Sequence, residues 1–322
     1  MKTKLITGVK PTGEVHLGNY FGALKNLKNY QEEFESYVFI ADYHALTSVH
    51  NKEELEKRTR ELMIMYLAIG IDPKKTLLYR QSRIPEVAEL SFIFSSLVTV
   101  PYLMRAHAYK DAEAKGQEVN NATFSYPVLM AADILITGAE VVPVGKDNVQ
   151  HVEIAREIAR KFHTEFEMNT FVEPKELIDE KTEIVPGTDG QKMSKSYGNV
   201  IPLFAERDEL EKIVMTIPTD SKGIDEPKDT ENNILFKIHE LILDEEGKIA
   251  LKKKYETPGL GYKDAKLSLL EDLDAFIAPL REKKQYYENN FRKVEKIFQK
   301  GEKKMKKIAE AKMEEVRKKV GL

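Results

Sequence analysis

Two short strings carry residue types suited to phosphate chemistry. "HLGN", residues 16–19, follows the turn-prone stretch "GVKPTGEV" and stands where an amphipathic segment begins. Gly18 has no Cβ, so a ligand's ring or phosphate can come close to the backbone there. The N-terminus of the following helix offers unpaired N–H groups and a partial positive charge. His16 and Asn19 can add side-chain donors to phosphate oxygens. Taken alone, the four residues also suit an ordinary loop histidine beside a helix cap. The second string, "DGQKMSKSYGN" at 189–199, sets Lys192 and Lys195 three residues apart, flanked by Ser194 and Ser196 and bordered by glycines. Two ammonium groups and two hydroxyls suit a leaving pyrophosphate, whose charge grows as its bond to the α-phosphate breaks.

The elements around these strings must hold them at the rim of a sheet. Lys4–Val9 reads as a short buried strand, and Gly18–Phe34 as a helix with Phe21, Leu24, Leu27 and Tyr30 at helical spacing. Further apolar strands are expected at 36–42, 76–82 and 139–145. Between them the pattern predicts a helix capped by Asn51 with Glu54 and stopped at Gly70, then Pro85–Val98, Tyr126–Ile136 and Asn148–Phe162. Strands alternating with helices imply βαβ units, hence an α/β fold with a parallel sheet covered on both faces. Ligands of such sheets bind outside the carboxyl ends of the strands, where "HLGN" falls. Beyond about residue 204 strand-like runs give way to helical segments, broken by "TIPTDSKGIDEPKD" and "ETPGLGYKD". A boundary near 203 follows, with a helical second domain.

With both signatures in this order, the sequence resembles the class I aminoacyl-tRNA synthetases, and within them the tryptophanyl group. The resemblance runs through essentially the whole chain: "ADYHALT" (41–47), "YPVLMAADIL" (126–135), "PVGKDNVQHVEIAREIA" (143–159), "KMSKSYGN" and "TDSKGIDEPKD" (219–229) all fall in the family's order. Tyrosyl-tRNA synthetases share the fold and both signatures but are less similar at "DYHALT" and "PVGKDNVQH". The resemblance implies a Rossmann-like catalytic domain over 1–203, with a connective insertion at about 82–125 and the KMSKS loop at 192–196. It makes 204–322 an all-helical, tRNA anticodon-binding domain.

Carried over position by position, the resemblance assigns Lys10, His16, Gly18 and Asn19 to the ATP phosphates and the reacting α-phosphate. Gly145 and Asp147 would take the adenosine ribose, and Lys192, Met193 and Lys195 would close over adenine and pyrophosphate. Lys10, His16, Lys192 and Lys195 are the residues expected to carry catalysis. Tyr126, Met130, Asp133, His44 and Asn148 would form the tryptophan pocket. Asp133 lies among Met, Ala, Ile and Leu, where a carboxylate calls for a partner, and an indole N–H is a donor with no acceptor role. A helix-surface aspartate is the other reading of Asp133, and a satisfied core histidine the other reading of His44. Two positions depart from the family: Lys10 stands where many members carry glutamine, and Asn148 where the signature usually reads Asp-Gln. Lys10 adds a charge near the phosphates, while Asn148 keeps an amide that is one methylene shorter.

Composition bounds the remaining possibilities. The chain of 322 residues is 42% hydrophobic and 32% charged, as expected of a soluble globular protein. No run approaches a membrane span and no secretory signal is evident, which points to the cytoplasm. The absence of cysteine excludes disulfides, thiolate metal sites and a cysteine nucleophile. The net charge of −3 conceals an asymmetry, since Arg281 to Leu322 holds 15 Lys and Arg against 7 Asp and Glu. Such an end suits a polyanion, or is merely a solvated helical face. The family implies L-tryptophan, ATP with Mg2+, tRNA(Trp) and a homodimer as substrates and partners, with no protein-bound metal site. Three rivals remain at this level: a tyrosyl-type enzyme, a small-molecule nucleotidyltransferase with a similar histidine loop, and a non-catalytic RNA-binding relative.

Overall fold

The computed structural model describes residues 2–11, 13–106, 109–110, 113, 119–145, 148–166, 169–178 and 185–322. In chain order the longer elements are β1 (Lys4–Val9), β2 (Glu35–Ile40), α1 (Lys52–Ala68), β3 (Thr76–Arg80), α2 (Glu86–Ser95), α3 (Asn121–Thr137), β4 (Val141–Val144), α4 (Val149–Glu165) and β5 (Lys175–Ile178). They continue with α5 (Arg207–Thr216), α6 (Ile234–Glu240), α7 (Glu245–Glu256), α8 (Tyr262–Asn289) and α9 (Phe291–Val320). Packing divides the chain into two compact units: Met1–Gly13 with Lys28–Glu180 and Asn290–Leu322, and Glu14–Leu27 with Lys181–Asn289. A single cut near 203 does not describe that division, because the first helical turns join the second unit and α9 joins the first.

The first unit is built on a parallel sheet in the order β3-β2-β1-β4-β5. β1 pairs with β2 from Lys4↔Glu35 to Val9↔Ile40, and with β4 at Leu5↔Val141. Strand order reverses at β1, so the switch point of the sheet lies between β1 and β4, beside Lys10 and Gly145. β5 was not evident from the sequence, because "KELI" is a partly exposed edge strand with two charges and no clear alternation. The helix expected from Tyr126 begins at Asn121, where Asn120 Oδ1 accepts the Thr123 N–H at 2.8 Å. Pro127 therefore sits inside the helix rather than near its start.

α9 explains why the basic end belongs with the sheet. Val294, Phe298, Met305, Ala309, Met313 and Val316 recur at helical spacing and are buried, the last four within the core that holds Ile6, Phe94 and Phe162. The helix packs against β3, an edge strand, with Gly301 at the crossing. A Cβ at position 301 would stand 1.9 Å from the Leu78 carbonyl oxygen, so only glycine permits this approach. Arg80 and Glu302 close the crossing with paired hydrogen bonds of 2.6 and 3.1 Å.

The second unit is helical. Leu210 and Val214 of α5 and Leu269, Leu270, Leu273 and Ile277 of α8 are buried, and the two helices pack together. Phe276 of α8 stacks on Phe21, with ring centroids 5.6 Å apart, which ties the "HLGN" helix to this unit. Among the described residues, no helix is long and apolar enough to cross a membrane.

Candidate active site

In the second unit, strings about 175 residues apart in sequence come together. Val15 and Leu17 pair with the segment after the lysine loop: Leu17 N–H donates to Ile201 O and Leu203 N–H to Val15 O, both at 2.9 Å. His16 stands at the N-cap of the helix, and its backbone N–H donates to Asn19 Oδ1 at 3.2 Å. Asn19 thus caps its own helix. Gly18 N–H donates to Met193 Sδ at 3.1 Å, and a Cβ at Gly18 would meet the His16 ring at 2.9 Å and Met193 Cβ at 3.1 Å. The glycine is therefore required for the turn to sit beneath Met193.

The lysine loop has a buried frame and an exposed face. Met193 and Asn199 are buried, whereas Lys192 and Lys195 are exposed. Asn199 ties the loop from within: Oδ1 accepts Ser194 N–H at 2.8 Å, and Nδ2 donates to Asp189 Oδ1 at 2.7 Å and to Lys192 O at 3.2 Å. A left-handed Gly198 ends the Lys195–Tyr197 turn. The His16 ring is only 7% exposed, and its Nδ1 is buried without a hydrogen-bond partner in the described structure. Burial first, and the charge of Lys195 second, hold its pKa down to about 4. His16 is therefore a neutral imidazole at neutral pH, able to donate one N–H but not to act as a cation.

In the first unit, a polar knot lies beyond the carboxyl ends of β2 and β3. Asp133 on α3 is 1% exposed and Gln81, at the end of β3, is fully buried. Gln81 Nε2 donates to Asp133 Oδ1 at 2.9 Å and Oδ2 at 2.8 Å, and His44 Nε2 donates to Oδ2 at 3.0 Å. Burial raises the Asp133 pKa, and the His44 and Gln81 hydrogen bonds oppose that rise. Asp42 is held in turn by Ser82, through its backbone N–H at 2.8 Å and its hydroxyl. His44 is thus both a satisfied buried histidine and a direct neighbour of Asp133.

Tyr126 lies two helical turns before Asp133. Its hydroxyl shares a 2.7 Å hydrogen bond with His151 Nε2, and Lys10 Nζ lies 5.6 Å from its ring centroid. Partial burial lowers the Lys10 pKa. Met130 is half-buried one turn from Asp133. His44 and Tyr126 also line a cavity of about 250 Å³ with Tyr43, Thr47, Ser91 and Leu129. Gly145 follows β4, its carbonyl accepting the Asn148 N–H at 2.9 Å, and Asn148 forms the N-cap of α4 without a side-chain capping bond. Asp147 lies outside the described residues.

Sequence reasoning did not single out several residues of these clusters, among them Gln81, His151 and Asn199. Asn199 and His151 lie inside the quoted motifs, which was their only signal. Gln81 reads in sequence as the polar end of a strand, and nothing in "TLLYRQS" signals its partner 52 residues away.

The parallel sheet with its switch point and the joined "HLGN" and "KMSKS" strings define a class I synthetase. The family described as tRNA synthetases class I (W and Y) matches residues 1–278. A curated tryptophan--tRNA ligase from Fusobacterium nucleatum is 43% identical over 317 residues, covering 98% of this chain and 97% of that protein. The crystal structure of tryptophanyl-tRNA synthetase from Campylobacter jejuni complexed with ADP and tryptophan is 43% identical, with a TM-score of 0.94 over 99% of this chain and 100% of that one. The enzyme from Mycoplasma pneumoniae is similar at 25% identity and a TM-score of 0.81. The chain belongs to the tryptophan--tRNA ligases.

Proposed function

We propose that the chain activates L-tryptophan with ATP and transfers it to tRNA(Trp) in two steps. The tryptophan carboxylate attacks the α-phosphate in line, forming the mixed anhydride tryptophanyl-adenylate and releasing pyrophosphate. A ribose hydroxyl of the tRNA's terminal adenosine then attacks the acyl carbon, and AMP leaves. The observation that carries this reading is the contact of Gly18 with Met193, which fixes the helix turn of His16 and Asn19 beside the loop of Lys192 and Lys195.

The residues divide the work by chemistry. Lys192 and Lys195 stabilise the charge that develops on pyrophosphate, and Met193 and Gly18 form the floor for the nucleotide. His16, neutral, gives a hydrogen bond to a phosphate oxygen. Gly145 and Asp147 take the ribose. Asp133 accepts the indole N–H, Tyr126, Met130 and His44 wall the ring, and Asn148 and Lys10 serve the polar end of the amino acid and the α-phosphate. Mg2+ enters as the ATP complex. Positioning and electrostatics supply the rate, as in phosphoryl transfer generally. The helical segment from 204 onward, with the basic outer face of α9, takes the tRNA, and the enzyme acts as a homodimer in the cytoplasm.

Exchange of labelled pyrophosphate into ATP tests this reading. It should depend on tryptophan and on neither tyrosine nor an unrelated acid. Exchange driven by tyrosine would transfer the assignment to the tyrosyl branch, and exchange without any amino acid would point to a nucleotidyltransferase.

A further inference from the structure

The buried knot around Asp133 contains a residue whose role goes beyond the pocket contacts, and the inference rests on Asp133 being the acceptor of the indole N–H. We propose that Gln81 is a positioning residue that keeps the Asp133 carboxylate oriented and ionised, and thereby selects an indole over a phenol.

The geometry leaves Gln81 one orientation. Its Oε1 accepts the Tyr43 N–H at 3.1 Å, so its Nε2 must face Asp133, within 2.9 Å of both oxygens. A flipped amide would set its oxygen against the carboxylate and its NH2 against the Tyr43 N–H. Both contacts would be repulsive, and burial of both side chains makes such a repulsion costly. Burial disfavours the charge on Asp133. Asp42 adds a like charge, Tyr79 on β3 is a buried phenol whose own pKa is pushed well up by burial and by Asp133, and the His44 hydrogen bond favours ionisation of the carboxylate. Two hydrogen-bond donors, His44 and Gln81, therefore offset the desolvation of the carboxylate.

That arrangement bears on ligand choice. An indole N–H only donates, so it leaves nothing unpaired when it meets an ionised carboxylate. A phenol hydroxyl donates too, but its oxygen lone pairs need donors, and those of Gln81 and His44 are committed to Asp133. An unpaired polar atom in a buried site is what gives polar pockets their discrimination. If Asp133 took up a proton, it would become partly a donor and lose this preference.

The test is the pH profile of the tryptophan KM in pyrophosphate exchange with the full chain, from pH 6 to pH 9. Gln81→Leu removes the donor, so Asp133 should protonate more readily. The tryptophan KM should rise by about tenfold or more at the acid end, the loss expected for one hydrogen bond to a charged group. It should recover as pH rises, while the ATP KM stays within about twofold. Gln81→Glu keeps the shape but donates only when protonated, so its KM should climb with pH, the opposite slope, and this variant carries the test if the leucine variant fails to fold. Profiles parallel to wild type in the folded variants would overturn the proposal, leaving Gln81 a packing residue. Asp133→Ala distinguishes the underlying reading: an unchanged tryptophan KM there would remove Asp133 from the pocket, and the proposal with it.

Discussion

In the first unit the chemistry is enclosed. Asp133, Gln81, His44 and Asp42 are all buried, and each is held by hydrogen bonds from a different stretch of chain. In the second unit Lys192 and Lys195 stand exposed, and what is buried is the frame beneath them, Met193 and Asn199. A buried, hydrogen-bonded pocket suits ground-state recognition, where an unpaired group penalises the wrong ligand. Exposed cations on a framed loop suit a charge that appears only as the bond breaks, since they interact weakly with anything until water is displaced. The difference predicts that lesions in the two regions separate into binding defects and rate defects.

The largest effect should come from Lys195→Ala. Adenylation should slow by roughly 10²–10³-fold, the scale for losing one charge-stabilising donor. ATP affinity measured without turnover should change far less. Equal losses in affinity and rate would make the loop a binding element and erase the contrast.

Asp133→Asn should do the reverse. The chain has no tryptophan of its own, so the substrate is the only indole in the sample and its burial is directly visible. Free tryptophan's emission should shift to the blue on binding wild type, as the ring leaves water. Asp133→Asn should weaken tryptophan binding by about tenfold, the value of a hydrogen bond to a charged acceptor. The Lys195→Ala protein should still give the full shift. A normal shift with Asp133→Asn would show that the knot is structural.

The same contrast governed what could be read from the residues alone. "HLGN" and "KMSKS" were legible because chemistry carried on a helix cap or a loop is specified by local residue types, and their meeting followed from the resemblance. Asp133 was legible as a carboxylate on an apolar helix. Its partner Gln81 was not, because a buried polar pair is settled by tertiary register, which β2, β3 and α3 fix jointly. The strands at Lys4–Val9 and Thr76–Arg80 were visible as apolar runs, whereas β5 was too short and too charged to register. α9 read as a basic tail because its lysines dominate the composition, while its apolar stripe and Gly301 determine where it packs.

A four-lysine change on α9 sharpens the comparison with a surface outside both clusters. Lys303, Lys304, Lys306 and Lys307 are all exposed, on the side away from Met305 and Ala309. Replacing them with glutamine should lower the salt slope of tRNA charging by up to about 3, given roughly 0.7–0.9 for each phosphate no longer neutralised. Pyrophosphate exchange and the tryptophan emission shift should be unchanged. An unaltered slope would leave these lysines a solvated helical face.

The smallest effect concerns His16, a buried ring in the region of the exposed lysines. Because burial is the larger cause of its depressed pKa, the ring should titrate near 4 when followed by NMR. Lys195→Ala should then raise that value only in part. Inorganic pyrophosphate, by compensating Lys195, should raise it in the same direction in wild type. The linked stability has a defined sign: unfolded histidine binds its proton near 6.5, so between that pH and about 4 the unfolded chain holds more protons. The stability linked to His16 is complete above pH 6.5 and is lost as pH falls toward about 4. His16→Gln, which keeps a donor but cannot titrate there, should flatten the urea midpoint across that window and leave it unchanged above pH 7. It should not alter the shape of the rate profile between pH 7 and pH 8, where the wild-type ring is already neutral. A wild-type titration near 6.5 would mean that water reaches the ring, and the enclosed frame of the second unit would then end at Met193 and Asn199.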